Sequence, residues 1–415
     1  MPFIDQAKTN SADVYRGTVL IGKITRTKSG SVFTYHSQFL ESLGSEEKEE
    51  KGAAFHLPYS RQKTETAGIN LHPYFAGLLP EGLRLKALIQ KVKTSEDDLL
   101  SLLISSGANC IGDLSVLPEG APFLAHSTLA DLGKLNEVVF SELFKKSISP
   151  ESDLNDLDEV NIPGVQDKIS ASMISFPLGG RAGHKSYILK LEPVDKPRLV
   201  QNEYFFLQMA KACGLQVNPA KLVKDKTGKE GLLVERFDRL SQKDTGELIS
   251  LHQEDGCQFL NLYPADKYRI PFSKIAEGLN LCSTPLLEVG KLLRLKAFCY
   301  LIANGDLHAR NVSILTSPKT GRSELTPAYD ILSTLPYGDQ RLALKFEGRD
   351  DNLKRKNFID FGKRFGVREV VTQDLLDQIY EDSPGWIDRL EEIGLGEKKT
   401  THLRTVMLKR RTDLA

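Results

Sequence analysis

Between residues 304 and 315 the chain reads NGDLHARNVSIL, with an Asp and an Asn five positions apart, Asp306 and Asn311. An Asp that meets a hydroxyl, followed at this spacing by an Asn that reaches a metal ion, is the D-x-x-x-x-N pattern of a phosphoryl-transfer loop. The pattern arises often by chance, so its context carries the argument. It follows an apolar helical run, LLRLKAFCYLIA, and precedes a β-prone segment, VSIL, as such a loop requires. Nineteen residues past Asn311, Asp330 in TPAYDILS follows another turn, where a second metal-holding carboxylate belongs. His308, between the first two, reads as a local hydrogen-bonding residue rather than a base.

Phosphoryl transfer also needs a lysine on a strand and a backbone loop, both to hold phosphates. Lys190 lies in YILKLE, with Ile188 on its face of the strand and Leu189 and Leu191 on the other. Alone, a lysine so placed is more often an edge or snorkelling residue. Thirteen residues on, Glu203 begins a helical pattern, where it would pair with Lys190 or simply favour the helix dipole. The segment NIPGVQDK (161–168) is either a strand-entry turn or a phosphate loop. In the second reading Gly164 lets the backbone, with Val165 and Gln166, approach phosphates. LVERFD (233–238) is a strand ending in charge, where a hinge offers backbone groups to adenine. Loop, lysine, glutamate, hinge, Asp306 with Asn311, then Asp330: that order points to a kinase-like fold using ATP and Mg2+.

The elements that must position these residues divide the chain into four. Residues 1–125 form a β-rich unit with helices, after a polar tail through residue 11. Strands from Val14 turn at Ser29-Gly30, and PYFAGLLPEGLRLKALIQKV (73–92) makes two helical pieces around Pro80. SEDDLLSLL opens a Ser-capped helix. Residues 126–160 hold one helix, STLADLGKLNEVVFSELFKK, and an acidic loop. Residues 161–265 make an ATP-binding core: a hairpin around PLGGRAG, the helix QNEYFFLQMAKACGL and the hinge strand. Residues 266–415 are mostly helical and carry the loop and metal site. The fold class is α+β and bilobed, with a β-rich N-terminal subdomain and a helical C-terminal lobe.

With 55 basic and 55 acidic side chains, the zero net charge argues against chain-wide attraction to nucleic acid or anionic membrane. The five cysteines are scattered with no CxxC pair; Cys213 and Cys299, inside apolar helical patterns, read as small core residues, and a reducing compartment fits. The N-terminus has no basic-then-apolar leader and no run of 18 apolar residues occurs. The expectation is a cytoplasmic protein with no membrane partner.

Nearly the whole chain resembles the HipA family of serine/threonine kinase toxins. The matching segments are FAGLLPEG (75–82), GVQDK (164–168), YILKLE (187–192), NEYFFLQMAKACGL, VERFDR (234–239), HQEDGCQ (252–258), NGDLHARNVSIL and YDILS (329–333). The first strands, GTVLIGKITRTKSGSVFTY, are similar to the small β-rich subdomain that precedes the kinase core in that family. The resemblance implies an ATP- and Mg2+-dependent kinase that inhibits growth and is neutralised by a HipB-like helix-turn-helix antitoxin. DNA would be reached only through that antitoxin. It implies that Lys190 contacts ATP phosphates, Asp306 is the catalytic Asp, Asn311 and Asp330 hold magnesium, and the backbone at Glu235 and Phe237 meets adenine. Substrates of the family include aminoacyl-tRNA synthetases. One departure stands out. Where the family commonly carries an autophosphorylated Ser before the loop glycine, this chain has Asn161 and Pro163, which cannot accept phosphate. Ser147, Ser149 and Ser152 lie upstream as substitutes.

Two other readings stay open. GDLHARN is close to the loop of small-molecule kinases that act on aminoglycosides or choline, although AYDILS differs from their metal motif. The other is a kinase-fold co-repressor that mainly binds a DNA-bound antitoxin.

Overall fold

The computed structural model describes residues 9–44, 52–68, 70–123, 130–148, 173–179, 185–241 and 248–415. Asn161, Pro163, Gly164, Val165 and Gln166 lie outside the described residues, as do Ser149 and Ser152.

The first sheet contains β1 (Ser11–Arg16), β2 (Val19–Thr27), β3 (Gly30–Tyr35), β4 (Thr64–Ala67) and β5 (Leu114–Pro118), in the antiparallel order β4-β3-β2-β1-β5. Alternate residues face the core: Ala12 and Val14 from β1, Phe33 and Tyr35 from β3. β1 starts at Ser11, three residues earlier than its β-branched text suggests, because Ser11 pairs with Thr25 and Ala12 is fully buried. The helices Pro73–Gly77, Gly82–Val92 and Leu99–Ser106 share this core. The last of them is capped by Asp98, whose side chain accepts from the Ser101 amide at 3.3 Å, and not by Ser95. The Asp carboxylate suits that position because the helix N-terminus presents unpaired N–H groups.

The second sheet contains β6 (Ala130–Asp131), β7 (Ile174–Gly179), β8 (Ser186–Leu191), β9 (Ala220–Lys224) and β10 (Glu230–Glu235), ordered β6-β7-β8-β10-β9. The single helix expected over 127–146 is instead β6, a 3-10 turn at Leu132–Glu137 and a helix at Phe140–Ile148. Two contacts divide it. Ala130 pairs with Leu178, and the Asp225 carboxylate accepts from the Phe140 amide at 2.7 Å, fixing a fresh helix start.

β11 (Arg239–Ser241) and β12 (Leu248–Ser250) form a hairpin, and β13 (His252–Asp255), β14 (Ser313–Thr316) and β15 (Ser323–Leu325) a small sheet. The remainder is helical around Pro285–Leu301, which packs against Arg355–Arg364, Glu369–Asp382 and Glu397–Leu414. That central helix is buried almost continuously from Leu292 to its end, as a helix surrounded by others must be. All five cysteines are buried and unbridged, Cys213 and Cys299 as expected of small core residues. Among the described residues no helix is long and apolar enough to cross a membrane.

Candidate active site

Strand alternation decides where Lys190 points. Leu189 and Leu191 enter the core formed with Phe140, Ile174 and Phe176, so Ile188 and Lys190 face the cleft on the opposite side. There the Lys190 ammonium donates to Glu203 Oε1 at 2.6 Å and to Asp330 Oδ1, with only 7% of the residue exposed. Glu203 sits one turn inside the helix Leu199–Ala212 rather than at its start, so the dipole is not what places it. Its neighbour Asn202 ties the same helix to the Asp330 segment. Asn202 Nδ2 donates to the Ser333 carbonyl at 3.0 Å, and its Oδ1 accepts from the Ser333 amide at 2.9 Å. Asp330 is held at φ 54°, a left-handed conformation that Asp tolerates better than most residues but that still costs about 1 kcal/mol.

Burial alone would drive the proton from Lys190, but Asp330 and Glu203 overcome it and hold the ammonium above its ordinary pKa. Burial pushes Glu203 up to about 7, against the pull of Lys190. One buried cation between two carboxylates is a poor device for stability, since desolvation offsets most of the attraction. It leaves net negative charge on the Asp330 side, the more exposed end at 20%. Asn311 Nδ2 reaches Asp330 Oδ2 at 3.2 Å. A carboxylate and an amide this close, with surplus negative charge, suit a hard cation that shares its remaining positions with phosphate oxygens.

The loop carrying Asp306 and Asn311 leaves the central helix through Ala303, at φ 56°. Thr334 Oγ1 accepts from the Gly305 amide at 2.7 Å, and Asn304 Oδ1 from the Asp306 amide at 2.8 Å. The Tyr268 hydroxyl donates to Asp306 Oδ1 at 2.8 Å. Burial first, and Asp306 second, raise the Tyr268 pKa, so it stays a donor. His308 is 2% exposed, its ring edge-on to Tyr268 at 4.9 Å, and burial lowers its pKa well below the ordinary value. It packs as a neutral ring, in keeping with a structural role.

Arg310 is the unexpected member. Its side chain is fully buried, with Nε on Asp255 Oδ2 at 2.7 Å and a terminal nitrogen donating to the Gly77 carbonyl at 2.6 Å. A third contact is to Glu81, which also takes the Lys267 ammonium at 2.6 Å. Burial opposes ionisation of Glu81, yet Arg310 and Lys267 hold its carboxyl down to about 2. Beside this cluster Gly256 lies against Ala309: a Cβ there would stand 3.0 Å from the Ala309 carbonyl carbon and closer still to its oxygen. Only glycine permits that approach.

The cleft beside Lys190 and Asp330 is closed by Ile188, Val234, Phe237 and Tyr329, an apolar slot suited to a flat ring. Glu235 lines it too, with its amide donating to the Pro219 carbonyl at 2.9 Å and its carbonyl accepting from Asn218 Nδ2 at 2.6 Å.

The HipA-like C-terminal domain profile matches residues 160–387, and the HipA N-terminal domain profile matches residues 12–117. The chain belongs to the HipA family. It is 27% identical over 394 residues to a putative kinase of Sinorhizobium fredii, covering 91% of this chain and 84% of that one. It is 25% identical over 365 residues to the serine/threonine-protein kinase toxin HipA of Shewanella oneidensis, covering 83% and 80% respectively. A solved structure of Shewanella oneidensis HipA with HipB and operator DNA superposes with a TM-score of 0.72 at 20% identity, covering 96% of each chain. The fold is thus the bilobed, kinase-like α+β fold of HipA.

Of the residues singled out by sequence, the structure brings Lys190, Glu203, Asn311 and Asp330 into one hydrogen-bonded group. Asp306 stands on the same short loop as Asn311, and Glu235 and Phe237 line the adjoining slot. Arg310, Glu81, Lys267, Tyr268 and Gly256 were not anticipated. Glu81, Gly256 and Arg310 stand in segments that carry the family resemblance, FAGLLPEG, HQEDGCQ and NGDLHARNVSIL, which was their only signal; Lys267 and Tyr268 lie outside those segments.

Proposed function

We propose that this protein is an ATP- and Mg2+-dependent serine/threonine protein kinase that acts as a growth-inhibiting toxin. The observation that supports it best is the buried lysine bridging Glu203 and Asp330, with Asn311 on the same carboxylate. In this reading Lys190 exchanges part of its contact with Asp330 for ATP phosphates, and Glu203 keeps it in place. Asn311 and Asp330 hold magnesium, which supplies neutralisation of phosphate charge. Asp306, its rotamer set by Tyr268, orients the acceptor hydroxyl and takes its proton. Adenine lies in the slot against the Glu235 carbonyl, which keeps a second lone pair, and the Phe237 amide. Phosphate contacts are assigned in this reading to the backbone of Gly164, Val165 and Gln166.

The acceptor is a protein of the translation apparatus, such as an aminoacyl-tRNA synthetase. The partner is a HipB-like antitoxin, through which DNA is reached, in the cytoplasm. With no hydroxyl at Asn161 or Pro163, phosphorylation at those two positions is chemically closed, and restraint falls to the antitoxin. A small-molecule kinase is disfavoured, because the catalytic loop is keyed to a HipA N-terminal unit through Glu81 and Gly77. Phosphoproteomics of cells expressing wild type or Asp306→Asn tests the reading. Phosphosites on a translation protein, present only with wild type, are expected; identical phosphoproteomes would overturn it.

A further inference from the structure

Two parts of the N-terminal unit reach the proposed site. The loop from Cys110 to Asp113 precedes β5, and its Ile111 side chain forms a wall of the apolar slot with Ile188, Val234 and Phe237. That loop is fastened to the segment beyond the hinge. The Arg239 guanidinium donates to the Cys110 and Gly112 carbonyls, both at 3.0 Å, and His252 contacts Asp113 at 3.1 Å. In the second, Glu81 and the Gly77 carbonyl take the buried Arg310 guanidinium, one residue before Asn311 and four after Asp306. Glu81 also fixes Lys267, whose neighbour Tyr268 donates to Asp306. A domain serving only as a docking platform has no reason to place an apolar side chain in the nucleotide slot and a carboxylate under the catalytic loop.

We infer that the N-terminal unit is part of the catalytic apparatus, with Ile111 a nucleotide-contacting residue that sets affinity and Glu81 a positioning residue for the catalytic loop. This rests on the kinase reading above. Ile111 contributes one apolar face to a flat ring, and burial on that scale corresponds to about tenfold in affinity. Glu81 acts through Arg310 and Tyr268 on Asp306 and Asn311, where a displacement of about 1 Å costs roughly 100-fold in turnover.

The test uses the full chain, titrated with MgATP by calorimetry and assayed for phosphoryl transfer, with the thermal midpoint as a measure of folding. Ile111→Ala is expected to weaken MgATP binding about tenfold, with its main effect on KM. Glu81→Gln is expected to lower kcat about 100-fold while MgATP affinity stays within threefold, and Glu81→Asp to recover part of that loss. If both variants instead lose affinity and turnover in parallel with their thermal midpoints, the unit is only a structural support and the inference fails. If wild type binds MgATP and neither variant departs from it, the inference fails alone. If wild type binds no MgATP, the kinase reading fails with it.

Discussion

Replacing Gly256 by Ala adds one methyl group at the point where the HQEDGCQ segment touches the catalytic loop. The residue is the first of a short helix capped by Asp255 and is not among those with positive φ, so alanine fits its backbone. The consequence is steric alone. The new Cβ would meet the Ala309 carbonyl well inside contact distance, with the Ala309 Cα at 3.2 Å as well. Backbone atoms, unlike a flexible side chain, cannot swing aside, so the loop must retreat by about 1 Å. Overpacking of this kind costs about 1–3 kcal/mol of stability, against which alanine's helix preference returns less than about 1 kcal/mol. Asp306 and Asn311 flank Ala309, and a shift of that size lowers turnover by about 100-fold. MgATP binding, which the proposed function assigns to Lys190 and the apolar slot, should change by less than threefold. Gly290→Ala is the matched control: that glycine lies in the helix Pro285–Leu301 with no atom within 4 Å of its would-be Cβ. It should stabilise by about 0.5–1 kcal/mol and leave turnover alone. Denaturant unfolding with steady-state phosphoryl transfer reads both variants. Wild-type turnover in Gly256→Ala would refute the claim that this contact positions the loop.

Two further outcomes follow from buried charge. His252 is flanked by Asp113 and Glu254, with Arg16 beyond Asp113 at 2.9 Å, the Tyr74 ring stacked parallel to it and the Phe55 ring in a T-shaped contact. Burial lowers its pKa but the two carboxylates raise it to about 9. A folded pKa above the unfolded 6.5 means the stabilisation is complete below pH 6.5 and lost as pH rises through 9. The stability advantage of wild type over His252→Gln should therefore shrink by about 3 kcal/mol across that window; a difference independent of pH contradicts the assignment. Lys190→Met leaves Glu203 facing Asp330 without a cation, and should abolish phosphoryl transfer while raising the Glu203 pKa further. Because that carboxyl is already raised above its unfolded value, its contribution to stability is present below about pH 4.5 and falls as pH rises. Wild type and variant lose that contribution in parallel until the wild-type Glu203 ionises near 7, so the variant's deficit should grow only from about pH 7 upward, and a deficit that narrows there would count against the buried triad.

Much of the site was legible because its parts recur in a fixed order. The alternation in YILKLE put Lys190 opposite Leu189 and Leu191, and the structure has it so. The Asp306–Asn311 spacing placed an amide that meets Asp330. What escaped was set by long-range contact. No periodicity tells that Arg310 crosses to Glu81, 229 positions earlier, or that Ile111 reaches a slot built by residues beyond 187. Local preference misled over 127–146, where Asp225, far along the chain, starts a second helix by capping Phe140. It also misled at Ser95, where the carboxylate of Asp98 supplied the cap instead.

The central claim is that this chain transfers the terminal phosphoryl group of ATP with Asp306 as the residue that meets the hydroxyl. Purified wild type and Asp306→Asn, incubated with radiolabelled ATP, Mg2+ and extract from cells lacking the gene, test it directly. The account predicts labelled protein with wild type, none when the metal is chelated, and label reduced by about 100-fold or more with Asp306→Asn. Equal labelling by the two proteins would contradict it.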